Sequence, residues 1–569
     1  MKKSFMLKGV SLLLSISMAL GLSSCAARTE EQPLPGEEEQ IDRQPIELSQ
    51  QEFILPWYRS EGYNPYMTNN SLTLQLSDLL FEKLVVIDPN GELEWRALTG
   101  YSIQGLSVTL KVNTSLCYTD GTHIGVQDVA AVLQAARVSS MYGARFSNVE
   151  NVTVPEGSTD TVEITLYQPD VRFCWLLDIP VMPAEQVTAQ KPMTSARYTY
   201  AKDADALVPD PLRAELAPFD RIELWEMTGK DALSGSMNIG AISLYATEDE
   251  SCANGMGSSR QAGFYTNTLV FLGFNAHTTA METKYLEDGT PTQVAVSTGV
   301  SPLVASATGR QIINSLLDRT QLLEKVYYNQ GHVATGFFNT VGAAAGDGMF
   351  SASAQPEEVQ QKLEQLGYTL GMDDMWYLPP EEKKTDAGSA EDTQQKQDST
   401  ENSLTKVNLR LVVYSGSSYK RYLAQMVADT LTSAGLQVEL IECVSMENYL
   451  QKLNSKEFDM YIGEIKLYNN MDLGAFFKPD GAAAFCLQLP ETLTQAYARW
   501  RAGSSTTSVM ESLLTKEMPW APLLWRSGML YYSKKLTGFT PSESSVFYGM
   551  ENISLAAEEV SETDADIPS

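Results

Sequence analysis

The chain has 569 residues, 43% hydrophobic and 20% charged, which is ordinary globular usage and excludes wholesale disorder. Asp and Glu number 71 against 41 Lys and Arg, and the net charge of −30 repels phosphate backbones, so no nucleic-acid partner is expected. Only His123, His277 and His332 carry imidazole, far apart, so neither a metal site nor a cofactor is expected.

In chain order, Lys2, Lys3 and Lys8 precede an apolar run over 10–22 that is too short to span a membrane. Residues 1–24 therefore read as a secretory signal peptide. Leu22-Ser23-Ser24-Cys25 resembles the lipobox of bacterial lipoproteins, which implies cleavage before Cys25 and lipidation of its sulfur. Residues 25–46 follow as a flexible polar tether. Leu106, Val108, Leu110 and Val112 alternate with polar residues, which predicts a strand. Val129, Val132, Leu133 and Ala136 fall at helical spacing after Gly125 as N-cap, with Asp128 in the first turn.

Residues 378–406 hold almost no apolar position and read as a disordered insertion. The stretch 408–463 then reads as a βαβαβ unit. Its first helix carries Tyr419, Tyr422, Leu423, Met426, Val427 and Leu431 on one face and stops at Gly435. A strand over 436–443, a helix with Tyr449, Leu450 and Leu453, and a strand over 458–462 complete it. That order implies a parallel sheet, with ligands expected beyond the carboxyl ends of its strands. Residues 556–569 form an acidic tail. Cys117, Cys174, Cys252, Cys443 and Cys486 include no C-x-x-C, and an odd number leaves at least one free thiol. Cys174 and Cys443 sit in apolar runs and are expected to be buried.

Several segments together resemble the bacterial extracellular solute-binding proteins of family 5, the peptide-binding subunits of ABC importers. They are Tyr63-Asn64-Pro65-Tyr66; Phe81-Glu82-Lys83-Leu84-Val85 with Asp88 and Gly91; Tyr118-Thr119-Asp120-Gly121 with Asp128-Val129; and Phe271-Leu272-Gly273-Phe274-Asn275. Gly309-Arg310-Gln311-Ile312 with Leu317-Asp318-Arg319, Trp520-Ala521-Pro522-Leu523, and Gly538-Phe539 continue the family's order. The resemblance implies an α/β, type II periplasmic-binding-protein fold with two lobes around a hinge and ligand cleft, plus an extra domain. The implied division is 47–77, 184–268 and 525–555 for lobe 1, 78–183 for the extra domain, and 269–524 for lobe 2. Where the family's peptide binders carry a Trp and an Asp that pairs with a peptide amino terminus, this chain has Glu464 and Leu467.

Candidate ligand-binding residues are Tyr63, Asn64, Tyr66, Asn275, Glu464, Tyr468, Asn469, Asn470, Asp472 and Arg526. The segment 464–472 lies beyond a parallel strand, and Asp472, after two asparagines, is the preferred substitute for the missing carboxylate. Arg526 either fixes a ligand carboxylate bidentately or makes a structural ion pair. Ser417-Ser418-Tyr419-Lys420 and Ser236-Met237-Asn238 match S-x-x-K and S-x-N, but their order is reversed and K-T-G is missing, so no enzyme is expected. The expected function is a lipid-anchored, monomeric substrate-binding subunit that captures peptides or a similar small solute. It would deliver them to an ABC permease and ATPase. The alternative is a surface lipoprotein of the same fold used in signalling or adhesion.

Overall fold

The computed structural model describes residues 47–557 except 228, 250–255, 258, 287, 289, 347, 351–352, 379–404 and 486. The signal segment, Cys25, the tether, most of the 378–406 insertion, Cys252, Cys486 and the end of the tail lie outside the described residues.

The described chain opens with β1 (Ile54–Trp57) and α1 (Ser71–Leu80). Asn70 caps α1, its side chain accepting from the Leu72 and Thr73 amides at 2.9 and 3.3 Å. A four-stranded antiparallel sheet follows from β2 (Leu98–Gln104), β3 (Ser107–Val112), β4 (Val149–Thr153) and β5 (Thr161–Leu166), in the order β2-β3-β5-β4. Val108, Leu110 and Val112 point inward from β3, as the alternation predicts. Between β3 and β4 runs α2 (Val126–Val138), which starts at Gly125 with Asp128 reaching back to the Gly125 amide at 2.9 Å. The strands β6 (Tyr198–Tyr200), β7 (Ala206–Pro209) and β8 (Ile222–Glu226) return to β1 in a sheet ordered β1-β8-β7-β6. Buried side chains of all these elements, residues of 78–183 included, belong to one hydrophobic cluster.

The second half is built on a seven-stranded mixed sheet. Its strands are β9 (Leu244–Thr247), β10 (Ser259–Phe274), β11 (Gly331–Val333), β12 (Asn408–Tyr414), β13 (Gln437–Cys443), β14 (Met460–Lys466) and β15 (Trp520–Ser533). Their order is β9-β15-β10-β14-β12-β13, with β11 beside β15. The strands β12, β13 and β14 are parallel, joined by α3 (Ser418–Ser433) and α4 (Met446–Ser455), which is the expected βαβαβ unit. Gly435, at φ +83°, ends α3 in the left-handed conformation that glycine adopts without strain. Tyr422 and Leu450 depart from the expectation: both are exposed, because the buried stripes narrow to Leu423, Val427 and Leu431 on α3 and to Tyr449 and Leu453 on α4. Of the cysteines, Cys174 and Cys443 are buried as expected.

The strand expected to end at 462 runs on to Lys466. It gains an antiparallel partner in β10, with Thr268 opposite Lys466 and Phe271 opposite Gly463. A Cβ at Gly463 would lie 2.3 Å from the Phe271 ring, so the glycine admits the ring across the ladder. Two long strands carry the chain between cores. Phe264 of β10 packs in the first core and Leu269 to Phe274 in the second; Trp520 to Trp525 of β15 pack in the second, and Leu530 and Tyr532 in the first. The β10–β15 register slips between Tyr265 and Thr268, at that crossing. Thr266 and Asn267 have no ladder partner in β15 there, so the ladder is irregular where both strands pass from one core to the other.

Candidate functional site

Between the lobes lies a cavity of 770 Å³, lined from lobe 1 by α1, residues 141–145, 245–249 and 543–546, and from lobe 2 by residues 466–469. Its charged side chains come in opposed sets. Lys83 sits 2.6 Å from Asp78, both buried. Burial raises the Asp78 carboxyl above its ordinary range, and Lys83 opposes that shift. Arg145 pairs with Asp178 and lies 5.7 and 5.6 Å from the Tyr142 and Phe146 ring centres. Burial pushes its guanidinium down to about 10, against the pull of Tyr142 and Glu543.

The third set crosses the cleft. Lys466, at the end of β14, lies 2.6 Å from Glu248 and 3.2 Å from Glu543 of the opposite lobe. About half of the Lys466 side-chain surface is exposed, and the side chain lines the cavity. Burial works against its charge, but Glu543 and Glu248 outweigh it and lift the ammonium above its ordinary value. Burial likewise raises the Glu543 carboxyl, with Lys466 opposing and Glu248 adding. Asn267, in the slipped segment of β10, donates to Glu543 at 3.2 Å and to Asn469 at 3.0 Å. The crossing point and the cleft charges are thus in direct contact.

Folded Glu543 holds its proton to higher pH than in the unfolded chain, where the carboxyl titrates near 4.5. Its contribution to stability is therefore greatest below that value and falls as the pH rises through the folded pKa. Glu543→Gln is expected to remove that slope, read as the melting-temperature difference between variant and wild type from pH 4 to 8.

Of the sequence-predicted residues, Tyr468 and Asn469 line the cavity. Tyr63, Asn64 and Tyr66 do not; they build the core of lobe 1. Tyr63 stacks on Trp57 with ring centres 4.9 Å apart, and Asn64 donates to the Val187 and Ala189 carbonyls at 3.0 and 2.7 Å. The Tyr66 hydroxyl donates to the Pro180 carbonyl. Asn275 is spent on the carbonyls of Lys456 and Phe458, at 2.8 and 2.9 Å, fastening the end of β10 to the start of β14. Glu464 lies between Lys420 at 3.2 Å and Arg526 at 3.3 Å, and Arg526 also donates to the Glu248 carbonyl. Arg526 thus stands in an ion pair with Glu464.

Asn470 and Asp472 belong to a second interlobe contact, away from the cavity. Asn470 donates to Asp170 at 2.7 Å and accepts from Arg172 through its carbonyl at 3.3 Å. The Arg172 guanidinium lies 3.6 Å above the ring of Trp500. Arg501, which ends α5 (Glu491–Arg501), sits 3.1 Å from Asp472, donates to Gln168 at 2.5 Å, and accepts from the Val171 amide at 3.0 Å. The preferred inward turn of Asp472 is not what the structure places: Tyr497 and the Gly474 amide occupy one of its oxygens and Arg501 the other. A buried guanidinium requires a counter-charge, and Asp472 supplies it.

Sequence reading missed Lys83, Arg145, Glu248, Lys466 and Glu543. Glu464 and Lys466 share one face of a strand by period two, a signal hidden when that strand is ended at 462. Glu248 and Glu543 come from loops remote in sequence, for which no local pattern exists.

A family model for bacterial extracellular solute-binding proteins, family 5 middle, matches residues 96–479. The chain belongs to that family. A sequence search of curated proteins returns no match. Solved structures share the fold of this family 5 protein at low identity. The unliganded open form of the periplasmic murein tripeptide binding protein MppA is 15% identical, with a TM-score of 0.66 over 89% of this chain and 97% of its own. The oligopeptide-binding protein AppA from Bacillus subtilis, solved with a nonapeptide, is 13% identical, with a TM-score of 0.52 over 90% and 99%. NikZ from Campylobacter jejuni, solved with Ni(L-His), is 15% identical, with a TM-score of 0.56 over 88% and 99%. The two-lobed α/β architecture expected from the sequence is the one these proteins have. Among the described residues, no helix of the family 5 protein is long and apolar enough to cross a membrane.

Proposed function

We propose that the protein is the lipid-anchored substrate-binding subunit of an ABC importer, and that its ligand is a short peptide. The observation that carries this reading is the interlobe cavity of 770 Å³ whose lining sets carboxylates beside cations. That volume is within the roughly 300–1,000 Å³ usual for small-molecule sites. Alternating charge of both signs complements a zwitterion with an amine, a carboxylate and backbone amides between them. MppA and AppA, which share the fold, bind a tripeptide and an oligopeptide. The Ni(L-His) bound by NikZ is a weaker guide, since none of His123, His277 and His332 lines the cavity. Closure on ligand turns the lobes about the β10–β15 crossing and presents the closed form to a permease pair. In this reading the region 78–183, which holds the four-stranded sheet of 98–166, is the family's extra domain.

A thermal-shift screen of the full chain against peptide pools, sugars and Ni(L-His) tests the ligand class. Peptide pools are expected to raise the melting temperature. A shift with sugars alone, or with Ni(L-His) alone, sinks the peptide reading.

The anchor is tested separately. Two acyl chains attach a protein stably, at about 0.8 kcal/mol per buried CH₂, whereas an acidic body has no attraction of its own to anionic lipid. Cys25→Ser is expected to abolish incorporation of labelled fatty acid and to release the protein from membranes. Continued labelling of the variant would place the lipid elsewhere.

A further inference from the structure

A ligand gripped between two closing lobes must touch both, and one side chain of this protein already does so. Lys466 leaves β14 in one lobe and ends 2.6 Å from Glu248 and 3.2 Å from Glu543 in the other. Among the described residues, the other cations lining the cavity are Lys83 and Arg145, which pair with Asp78 and Asp178 on their own lobe. Two acidic side chains face a single ammonium at this corner of the cavity. Asn267 holds Glu543 in position from the strand crossing, so the carboxylate is fixed whether or not the lysine is there. The lysine is not fixed in the same way: about half of its side-chain surface is exposed, and four methylenes allow the ammonium to swing out.

We propose that Lys466 fills the cation subsite of the cleft, and that a ligand bearing a primary ammonium binds by displacing the Lys466 ammonium from between Glu248 and Glu543. Lys466 is then a specificity-determining residue. The affinity for an amine is the difference between two similar ammonium–carboxylate interactions, whereas a ligand with a blocked amine leaves the lysine seated. The arrival of a ligand rests on the solute-binding reading above; the subsite itself rests on the two carboxylates and the ammonium they hold.

The test removes the lysine and offers a substitute. Lys466→Ala leaves a hole the size of n-propylammonium, and thermal denaturation is followed with that cation or with tetramethylammonium at equal ionic strength. The n-propylammonium ion is expected to raise the melting temperature of Lys466→Ala, and not that of wild type or of Lys466→Met, in which an apolar chain fills the hole. Adding Glu543→Gln to Lys466→Ala is expected to abolish the rescue. Equal shifts in all proteins, or equal shifts with both cations, overturn the subsite.

Calorimetry with trialanine and N-acetyl-trialanine tests displacement. Trialanine is expected to bind Lys466→Ala about tenfold more tightly than wild type, with the acetylated peptide unchanged. Equal changes for both peptides overturn displacement. Rescue by n-propylammonium with no binding of either peptide retires the peptide reading and leaves the cation subsite standing.

Discussion

Arg501→Ala is expected to destabilise the folded protein by about 3–5 kcal/mol, the scale for removing one partner of a buried charge pair. The guanidinium is almost wholly buried, and it faces Asp472 at 3.1 Å and Asp170 at 4.0 Å. Its loss leaves two carboxylates near one another. Burial already raises Asp170, against which Arg501 is the largest counterweight, so that carboxyl takes up a proton more readily in the variant. The contact also links residues 168–172, which lie between Leu166 and Phe173 of the first core, to the segment 470–501 that packs in the second, so the variant is expected to populate an open form. Urea denaturation monitored by tryptophan fluorescence reads the stability, and small-angle scattering reads the opening. A variant with unchanged unfolding midpoint and radius of gyration would show that the contact contributes nothing to closure.

Asp472→Asn separates this role from ligand binding. A side chain facing the cavity would, when neutralised, weaken amine-bearing ligands and spare acetylated ones. A residue of the interlobe contact alters closure, and the two ligand types then lose affinity alike. The second result is expected, because Tyr497, Gly474 and Arg501 already occupy both Asp472 oxygens. Calorimetry with trialanine and N-acetyl-trialanine distinguishes the two.

The elements that sequence predicts well are those whose burial pattern is settled locally. The strand of Val108, Leu110 and Val112, the Gly125 cap and the βαβαβ unit all follow from residues within a few positions of one another. The end of β14 was not legible in that way. Residues 463–466 hold a single apolar side chain, Ile465, among Gly463, Glu464 and Lys466, and the antiparallel partner β10, remote in sequence, keeps them extended. The candidate site divides along the same line. Tyr468 and Asn469 follow a parallel strand, where binding groups collect, and they line the cavity. Tyr63, Asn64 and Asn275 sit in family-like motifs, and their side chains are consumed by backbone carbonyls and aromatic stacking. A motif marks a position the fold needs, and here it needs these residues for packing. Lys466 acquires meaning only when two loops of the other lobe are brought to it.

Asp459→Ala is expected to cost about as much as Arg501→Ala, and to act on the cleft from beneath. Asp459 is wholly buried and immediately precedes β14. One carboxylate oxygen accepts from the Ser301 amide at 2.6 Å; the other accepts from the Arg410 amide at 2.8 Å and the Arg410 guanidinium at 2.9 Å. Alanine leaves two backbone donors and a guanidinium without that acceptor, and each unsatisfied buried group costs about 1–3 kcal/mol, more when charged. The total expected loss is about 3–5 kcal/mol. Asn at the same place retains one carbonyl oxygen but turns an amide donor toward the remaining donors, so Asp459→Asn should fall between wild type and Asp459→Ala. Because β12 and β14 pair through Leu411–Met460 and Val412–Tyr461, a loosened Asp459 frees the start of the strand that ends at Lys466. Hydrogen exchange at the β14 amides is therefore expected to accelerate in Asp459→Ala under native conditions, with α1 and the β2–β5 sheet of the other core unaffected. Uniform acceleration across both cores would mean that the carboxylate supports the whole molecule and not the strand beneath the cleft.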